Sequence, residues 1–259
     1  VSTTPLLTID DVAVRFGGVV ALDGLSFSVA PHAIHALIGP NGSGKTTLLN
    51  SISGAYRPDR GSIRLGGAEL IGQPPHQIAR LGLTRTFQNI RLFNTLTVLE
   101  NVMTARPPAG VPMFFNTVLG RRAARDLEAA TLDHARRTLA RVGLAHLAAQ
   151  QANALPYARQ RLLEIARAIA REPKLMLLDE PAAGMNMTEA RELMALVRSI
   201  RDDGITILLV EHNMRLVMDI SERITVLDFG RKIAEGNPHE VRNDPDVIRA
   251  YLGTGRKRA

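Results

Sequence analysis

Cysteine is absent from all 259 residues, which excludes disulfides, thiolate metal sites and a cysteine nucleophile, and fits a reducing compartment. No uninterrupted apolar stretch approaches the roughly 18 residues of a membrane-spanning helix, and the opening residues lack a basic segment followed by an apolar block. Any connection to a membrane is therefore expected to run through other proteins. Aromatic residues make up only 4% of the chain and form no basic, aromatic-rich patch, so a nucleic-acid partner is not expected despite the net charge of +7. The compact basic run Arg256-Lys257-Arg258 reads as a solvated tail in preference to a lipid contact. What is present, 45% apolar and 22% charged residues, suits one or two packed α/β domains.

The most specific stretch is Gly39-Pro40-Asn41-Gly42-Ser43-Gly44-Lys45-Thr46-Thr47, which fits the G-x-x-x-x-G-K-[ST] phosphate-binding loop without a gap. An apolar run, Ile34 to Ile38, precedes it, and Leu48, Leu49 and Ile52 follow at helical spacing, giving the strand, loop and helix that the motif requires. Glycines let successive amides turn inward onto phosphate oxygens, and the helix starting near Lys45 adds its positive end. A Cβ at Gly42 or Gly44 is expected to intrude. Lys45 can reach the β- and γ-phosphates of a nucleoside triphosphate, and the Thr46 hydroxyl can ligate the Mg2+ that bridges them.

Elsewhere the pattern changes by region. Leu6 to Val29 alternates as strands, and Ser62 to Leu65 repeats that signal, which predicts antiparallel neighbours on one side of the phosphate-loop strand. After the loop Pro107 to Pro112, an Ala/Arg/Leu-rich stretch from Arg121 to Ala149 reads as helical. From Gln160 the spacing places Leu162, Ile165, Ala166 and Ile169 on one helix face and the charges mainly on the other, with an end near Pro173. Leu175 to Leu178, the helical stretch Thr188 to Asp203 and the strand Ile205 to Val210 follow βαβ grammar, with Asn186 and Glu189 as a cap and Gly204 as a helix stop. A late hairpin turns around Gly230.

The strand ending Asp179-Glu180 belongs at the C-terminal edge of such a sheet, where ligands bind. There Asp179 would hold Mg2+, directly or through water, and Glu180 would polarise the attacking water. With these motifs in order the chain resembles an ATP-binding-cassette ATPase over nearly its whole length. The resemblance implies that Gln88, in Thr86-Phe87-Gln88-Asn89, senses Mg2+ and water and links to a membrane subunit. It implies that His212 contacts the γ-phosphate, that Phe16 stacks on adenine, and that Ala183-Gly184-Met185-Asn186 is the D-loop. The stretches Phe16 to Leu22, Thr86 to Phe93, Leu178 to Asn186 and Ala250-Tyr251-Leu252-Gly253 resemble the ATPases of bacterial branched-chain amino acid importers. Urea and amide importers and the lipopolysaccharide-export ATPase look similar there, and a soluble cassette acting on nucleic acid or ribosomes is a more distant alternative.

The fold class implied is a P-loop α/β nucleotide hydrolase with a mixed core sheet, an antiparallel β subdomain and a helical subdomain. Residues 1–104 and 157–259 are assigned to the core and 105–156 to the helical subdomain and signature loop. ATP and Mg2+ are the implied ligands. The implied partners are two integral-membrane permeases, a second cassette ATPase that is a copy or a paralogue, and indirectly a periplasmic or surface substrate-binding protein. Together they place the chain at the cytoplasmic face of the inner membrane. Coupling to the permeases would involve Gln88 to Val102 and the helical region, with Met113-Phe114-Phe115 read as interior packing ahead of docking.

The signature loop, Leu-Ser-Gly-Gly-Gln in the family, stands here as Leu155-Pro156-Tyr157-Ala158-Arg159-Gln160. In the family this loop closes over ATP held by the other subunit, which puts Pro156, Tyr157 and Ala158 at a nucleotide. Pro156 lacks the hydroxyl and the amide N–H, and Ala158 adds a Cβ where close approach is expected. Either the site completed by this loop is weak within a heterodimer, or Arg159 or a backbone amide compensates.

Overall fold

A computed structural model describes residues 4–105 and 121–252. The loop 107–112, the Met113-Phe114-Phe115 cluster and the tail 256–258 lie outside the described residues. Two compact units divide the chain: Val1–Arg85 with Lys174–Ala259, and Thr86–Pro173.

In the first unit β1 (Leu7–Phe16) and β2 (Val19–Val29) lead into β3 (Ile34–Ile38), the phosphate loop and α1 (Lys45–Ile52). Next come β4 (Arg60–Leu65), β5 (Ala68–Glu69), α2 (Pro75–Arg80) and β6 (Leu83–Arg85). β1, β2, β4 and β5 form a separate four-stranded antiparallel sheet in the order β2-β1-β4-β5. The phosphate-loop strand therefore has no antiparallel neighbour, contrary to expectation. Its neighbours β8 and β9 are both parallel to it. Alternation reveals that a segment is a strand but not which sheet it joins, because pairing is decided by distant residues.

The second unit holds α3 (Val98–Ala105), α4 (Arg121–Arg141) and α5 (Tyr157–Ile169). α5 packs on α3 and α4, so it belongs with the helical unit, whereas the boundary at 156 had assigned it to the core. Its charges are also not all on a solvated face: Arg161 is 0% and Glu164 6% exposed.

The chain then returns to the first unit with β7 (Leu175–Asp179), α6 (Met187–Asp202), β8 (Thr206–Val210) and α7 (Met214–Ile220). The hairpin β9 (Arg223–Asp228) and β10 (Arg231–Gly236), then α8 (Pro238–Asn243) and α9 (Pro245–Leu252), complete it. The six-stranded sheet has the order β10-β9-β3-β8-β7-β6, with β10 alone antiparallel. Every residue of β3, β7 and β8 is buried, as parallel strands covered on both faces require. Alternation divides β3: Leu37 joins the core shared with α1 and the antiparallel sheet, while Ala36 and Ile38 join Val217, Val241 and Val247 on the opposite face. The Asn186 capping box and Gly204, at φ 94°, bound α6 as the sequence predicts.

His35 sits inside β3 with its Nε2 2.8 Å from Thr225 Oγ1, and burial lowers its pKa to about 4. The unfolded chain takes up this proton near pH 6.5, so the stabilising contribution is complete above that pH and is lost as pH falls toward about 4. Urea titrations across this window should show a loss on the order of 3 kcal/mol that His35→Asn lacks. Equal pH slopes in the two proteins would refute it.

Candidate functional site

Three adjacent parallel strands deliver the candidate residues to one edge. β3 ends at Ile38 before the phosphate loop, β7 ends at Asp179 before Glu180, and β8 ends at Val210 before Glu211-His212. Leu37 and Asp179 are both in register with Val210, so the three ends are level. Parallel strands concentrate their ligand-binding loops at this carboxyl edge.

The loop's glycines are required for different reasons. A Cβ on Gly39 would lie 2.1 Å from Leu227 O, and one on Gly44 would lie 2.6 Å from Ala21 O. Gly42 corrects the expectation: nothing lies within 4 Å of its Cβ position, and its φ of +80° is what excludes a side chain. Lys45 Nζ donates to Gly39 O at 2.8 Å and Pro40 O at 2.9 Å, and so is held within the loop's curl. Burial lowers the Lys45 pKa, opposed by the negative charges of Glu180 and Asp179. Asn41, Gly42 and Thr46 are exposed, Pro40 and Thr47 half-buried, and Ser43 buried, with its amide donating to Pro40 O at 3.2 Å. A curled backbone at a helix start, a confined ammonium and an accessible Thr46 hydroxyl fit a polyphosphate with its Mg2+.

Asp179 has a partner that the sequence reading missed. Arg85 Nη2 donates to Asp179 Oδ2 at 3.0 Å, while Nη1 donates to Asn50 Oδ1 at 2.7 Å and Ser53 Oγ at 3.0 Å. The two charged side chains are 6% and 10% exposed. Arg85 ends a three-residue strand and matches no motif, so only the pairing of β6 with β7 exposes its role.

Glu180 Oε1 lies 2.6 Å from His212 Nε2, joining the two residues that sequence reasoning had singled out separately. Glu180 takes φ +48°, an unfavourable conformation for a side-chain-bearing residue that costs about 1–3 kcal/mol and is concentrated at functional sites. The conformation persists because Glu180 N donates to Val210 O at 2.9 Å and Ala183 N donates to Glu180 O at 3.1 Å. Glu211, also overlooked, is 5% exposed; its carboxylate accepts from Ala182 N at 2.9 Å and His212 N at 3.0 Å, tying the turn after Glu180 to the histidine. Phe16 is 47% exposed and stands edge-to-face with Tyr56 at 5.2 Å, offering a partly solvated aromatic pair.

Gln88 and Pro156-Tyr157-Ala158 fall in the helical unit. Here Arg161 clamps the glutamine loop, donating to Phe87 O at 2.6 Å, Gln88 O at 2.8 Å and Glu164 Oε2 at 2.6 Å. Glu164 Oε1 accepts from Phe87 N at 3.3 Å, although burial raises its pKa. Pro156 caps α5 with φ −57°, without a side-chain hydrogen bond, and Gln160 Nε2 reaches back to Leu155 O at 2.9 Å.

Residues 22–183 match the ABC transporter family. The chain belongs to that family. Residues 231–257 of the cassette also match the family described as branched-chain amino acid ATP-binding cassette transporter. The cassette is 46% identical to the high-affinity branched-chain amino acid transport ATP-binding protein LivG of Salmonella typhimurium, over 96% of this chain and 98% of that protein. It is 42% identical to BraF of Pseudomonas aeruginosa, described in the same terms, over 96% of this chain and 98% of that one. Among solved structures it resembles an ABC transporter cassette in its ADP conformation, with a TM-score of 0.83 and 30% identity over 97% of this chain and 100% of that one. The cassette is thus an ATP-binding ATPase subunit of transporter type, and among the described residues no helix is long and apolar enough to cross a membrane.

Proposed function

We propose that this cassette hydrolyses ATP with Mg2+ to drive an importer of branched-chain amino acids, docked on two permeases at the cytoplasmic face of the membrane. The hydrolytic half rests on the 2.6 Å Glu180–His212 contact at the carboxyl edge of the sheet. The substrate half rests on similarity to LivG and BraF and on the family match at residues 231–257.

In this reading the phosphate loop from Gly39 to Thr47 and Lys45 bind the β- and γ-phosphates, and Phe16 stacks on adenine. Thr46 and Asp179 would hold Mg2+, which would supply neutralisation of the phosphate charge, and the family resemblance assigns Gln88 to the same ion. Glu180 orients the attacking water and accepts its proton, and His212 donates a hydrogen bond to the developing negative charge. Arg85 occupies one Asp179 oxygen and fixes the carboxylate's orientation. Two cassettes close over two ATP molecules, each completing the other's site with its signature loop, and product release reopens them.

Purification of the tagged chain from native membranes, followed by mass spectrometry, tests the assembly. Multi-span permeases with a cassette ATPase are expected; ribosomal or nucleic-acid-associated partners alone would overturn the transport reading. Uptake of labelled leucine into vesicles carrying the purified complex then tests the substrate, with urea as the contrasting solute.

The signature loop divides the two sites. Pro156 offers no hydroxyl and no amide N–H, so the site that this loop completes lacks a transition-state donor, a loss of about 10²–10³ in rate. Changing Pro156→Ser together with Ala158→Gly is expected to raise ATP hydrolysis by the assembled complex. Unchanged hydrolysis would assign compensation to Arg159 or a backbone amide.

A further inference from the structure

The parallel pairing of β7 with β8 reaches Asp179 beside Val210, and Glu180 N to Val210 O at 2.9 Å extends it by one backbone rung. One residue further a side chain takes over the pairing. Glu211 Oε1 accepts from Ala182 N at 2.9 Å, and Oε2 accepts from His212 N at 3.0 Å and Asn213 N at 3.4 Å. One carboxylate thus gathers main-chain amides from the loops that follow two different strands. The turn it grips is closed on itself by Ala183 N to Glu180 O and Met185 N to Ala182 O, both at 3.1 Å. Holding Ala182 N therefore helps to hold the backbone that carries Glu180 at φ +48°.

Glu211 is 5% exposed, and among the described residues no side-chain cation pairs with it. A buried carboxylate without a counter-cation is costly, and it persists only where hydrogen-bond donors satisfy its oxygens. A neutral side chain would fill the same space at lower cost. What the charge adds is grip, because N–H bonds to an ionised acceptor are about twice as strong as neutral ones.

We propose that Glu211 is a positioning residue for the hydrolytic pair. By binding the turn after Glu180 and the His212 amide with one carboxylate, it sets the separation at which Glu180 Oε1 meets His212 Nε2, 2.6 Å. Its oxygens face amides, so it acts on the chemistry through its neighbours and not on the attacking water. The inference rests on the reading that Glu180 and His212 carry hydrolysis. A misplacement of about 1 Å in such a pair costs about 10²-fold in rate.

Glu211→Gln keeps the shape of the side chain but replaces one acceptor oxygen with an NH2 donor, so one side of the bridge meets donor against donor. In the assembled complex kcat should fall about 10–100-fold while KM for ATP stays within about twofold of the parent's. Single-turnover rates of Glu211→Gln, His212→Ala and the double variant complete the test. A residue that works through the pair gives a combined loss smaller than the product of the two single losses, whereas a merely structural one gives losses that multiply. Parental kcat, a loss confined to KM, or multiplying losses would overturn the proposal. Hydrogen exchange on the unmodified chain needs no variant to fold: the Ala182 and His212 amides should be protected like those of β8, and exchange of either at the rate of free peptide would also overturn it. Should Glu180→Gln keep the parent's turnover, the hydrolytic reading fails and the proposal with it. If Glu180→Gln stops turnover and Glu211→Gln does not, the positioning role alone fails.

Discussion

Glu180→Gln is expected to stop steady-state hydrolysis, by about 10²–10⁴ relative to the parent, while ATP still binds and holds two cassettes together. Glutamine preserves the shape of the side chain and can still present an oxygen to His212 Nε2, which lies 2.6 Å from Oε1 in the parent. What it cannot do is accept a proton from water. The turns that place the residue, Glu180 N to Val210 O and Ala183 N to Glu180 O, use only backbone atoms and survive the change. Phosphate release by the assembled complex measures the loss, and gel filtration with ATP and Mg2+ measures the closed dimer. Turnover near the parent's rate would remove Glu180 from the proton-accepting role and leave Glu211 to be tested next.

Arg161→Ala is expected to destabilise the helical unit by about 3–5 kcal/mol, because it leaves a buried charge without its partner. Arg161 is 0% exposed and Glu164 6%, and removing the guanidinium also takes a donor away from Phe87 O and Gln88 O. Lysine should not rescue the loss, since one ammonium cannot span the Glu164 carboxylate and two carbonyls as the planar guanidinium does. Burial already raises the Glu164 pKa, and loss of the cation raises it further. The folded variant therefore takes up a proton before its unfolded chain does, so its deficit should shrink as pH falls from neutral into the acid range. Hydrogen exchange along Phe87 to Phe93 and α5 reads the effect where it arises. Unchanged protection there would show that the clamp contributes nothing to holding the glutamine loop.

The sequence was most readable where function is carried by contiguous residues. The phosphate loop, Asp179-Glu180 and the α6 cap are each decided within about ten residues, and the structure places the expected local geometry at each. What escaped notice depended on long-range pairing. Arg85 matters because β6 lies beside β7, and Gly39 is crowded because Leu227 arrives from β9. Arg161 and Glu164 looked like a solvated face because their periodicity is that of any amphipathic helix, and only packing reveals that they satisfy each other in the interior. The antiparallel β subdomain was foreseen, but its strands were set beside the phosphate-loop strand for a related reason, since a strand's own alternation carries no address for its neighbour.

The floor of the phosphate loop has a consequence for how the protein is made. Ser43 O accepts from Gly230 N, Leu227 O crowds Gly39, and β3 lies between β8 and β9. A ribosome synthesising this chain delivers the nucleotide motif first, yet the strands and hairpin that brace it emerge only after the whole helical unit. Until then β3 has neither sheet neighbour, and a nascent chain carrying the complete motif has no finished pocket to offer. Acquisition of ATP binding therefore waits for the synthesis of β8 and β9, and a chain that holds nucleotide has already been read past the hairpin.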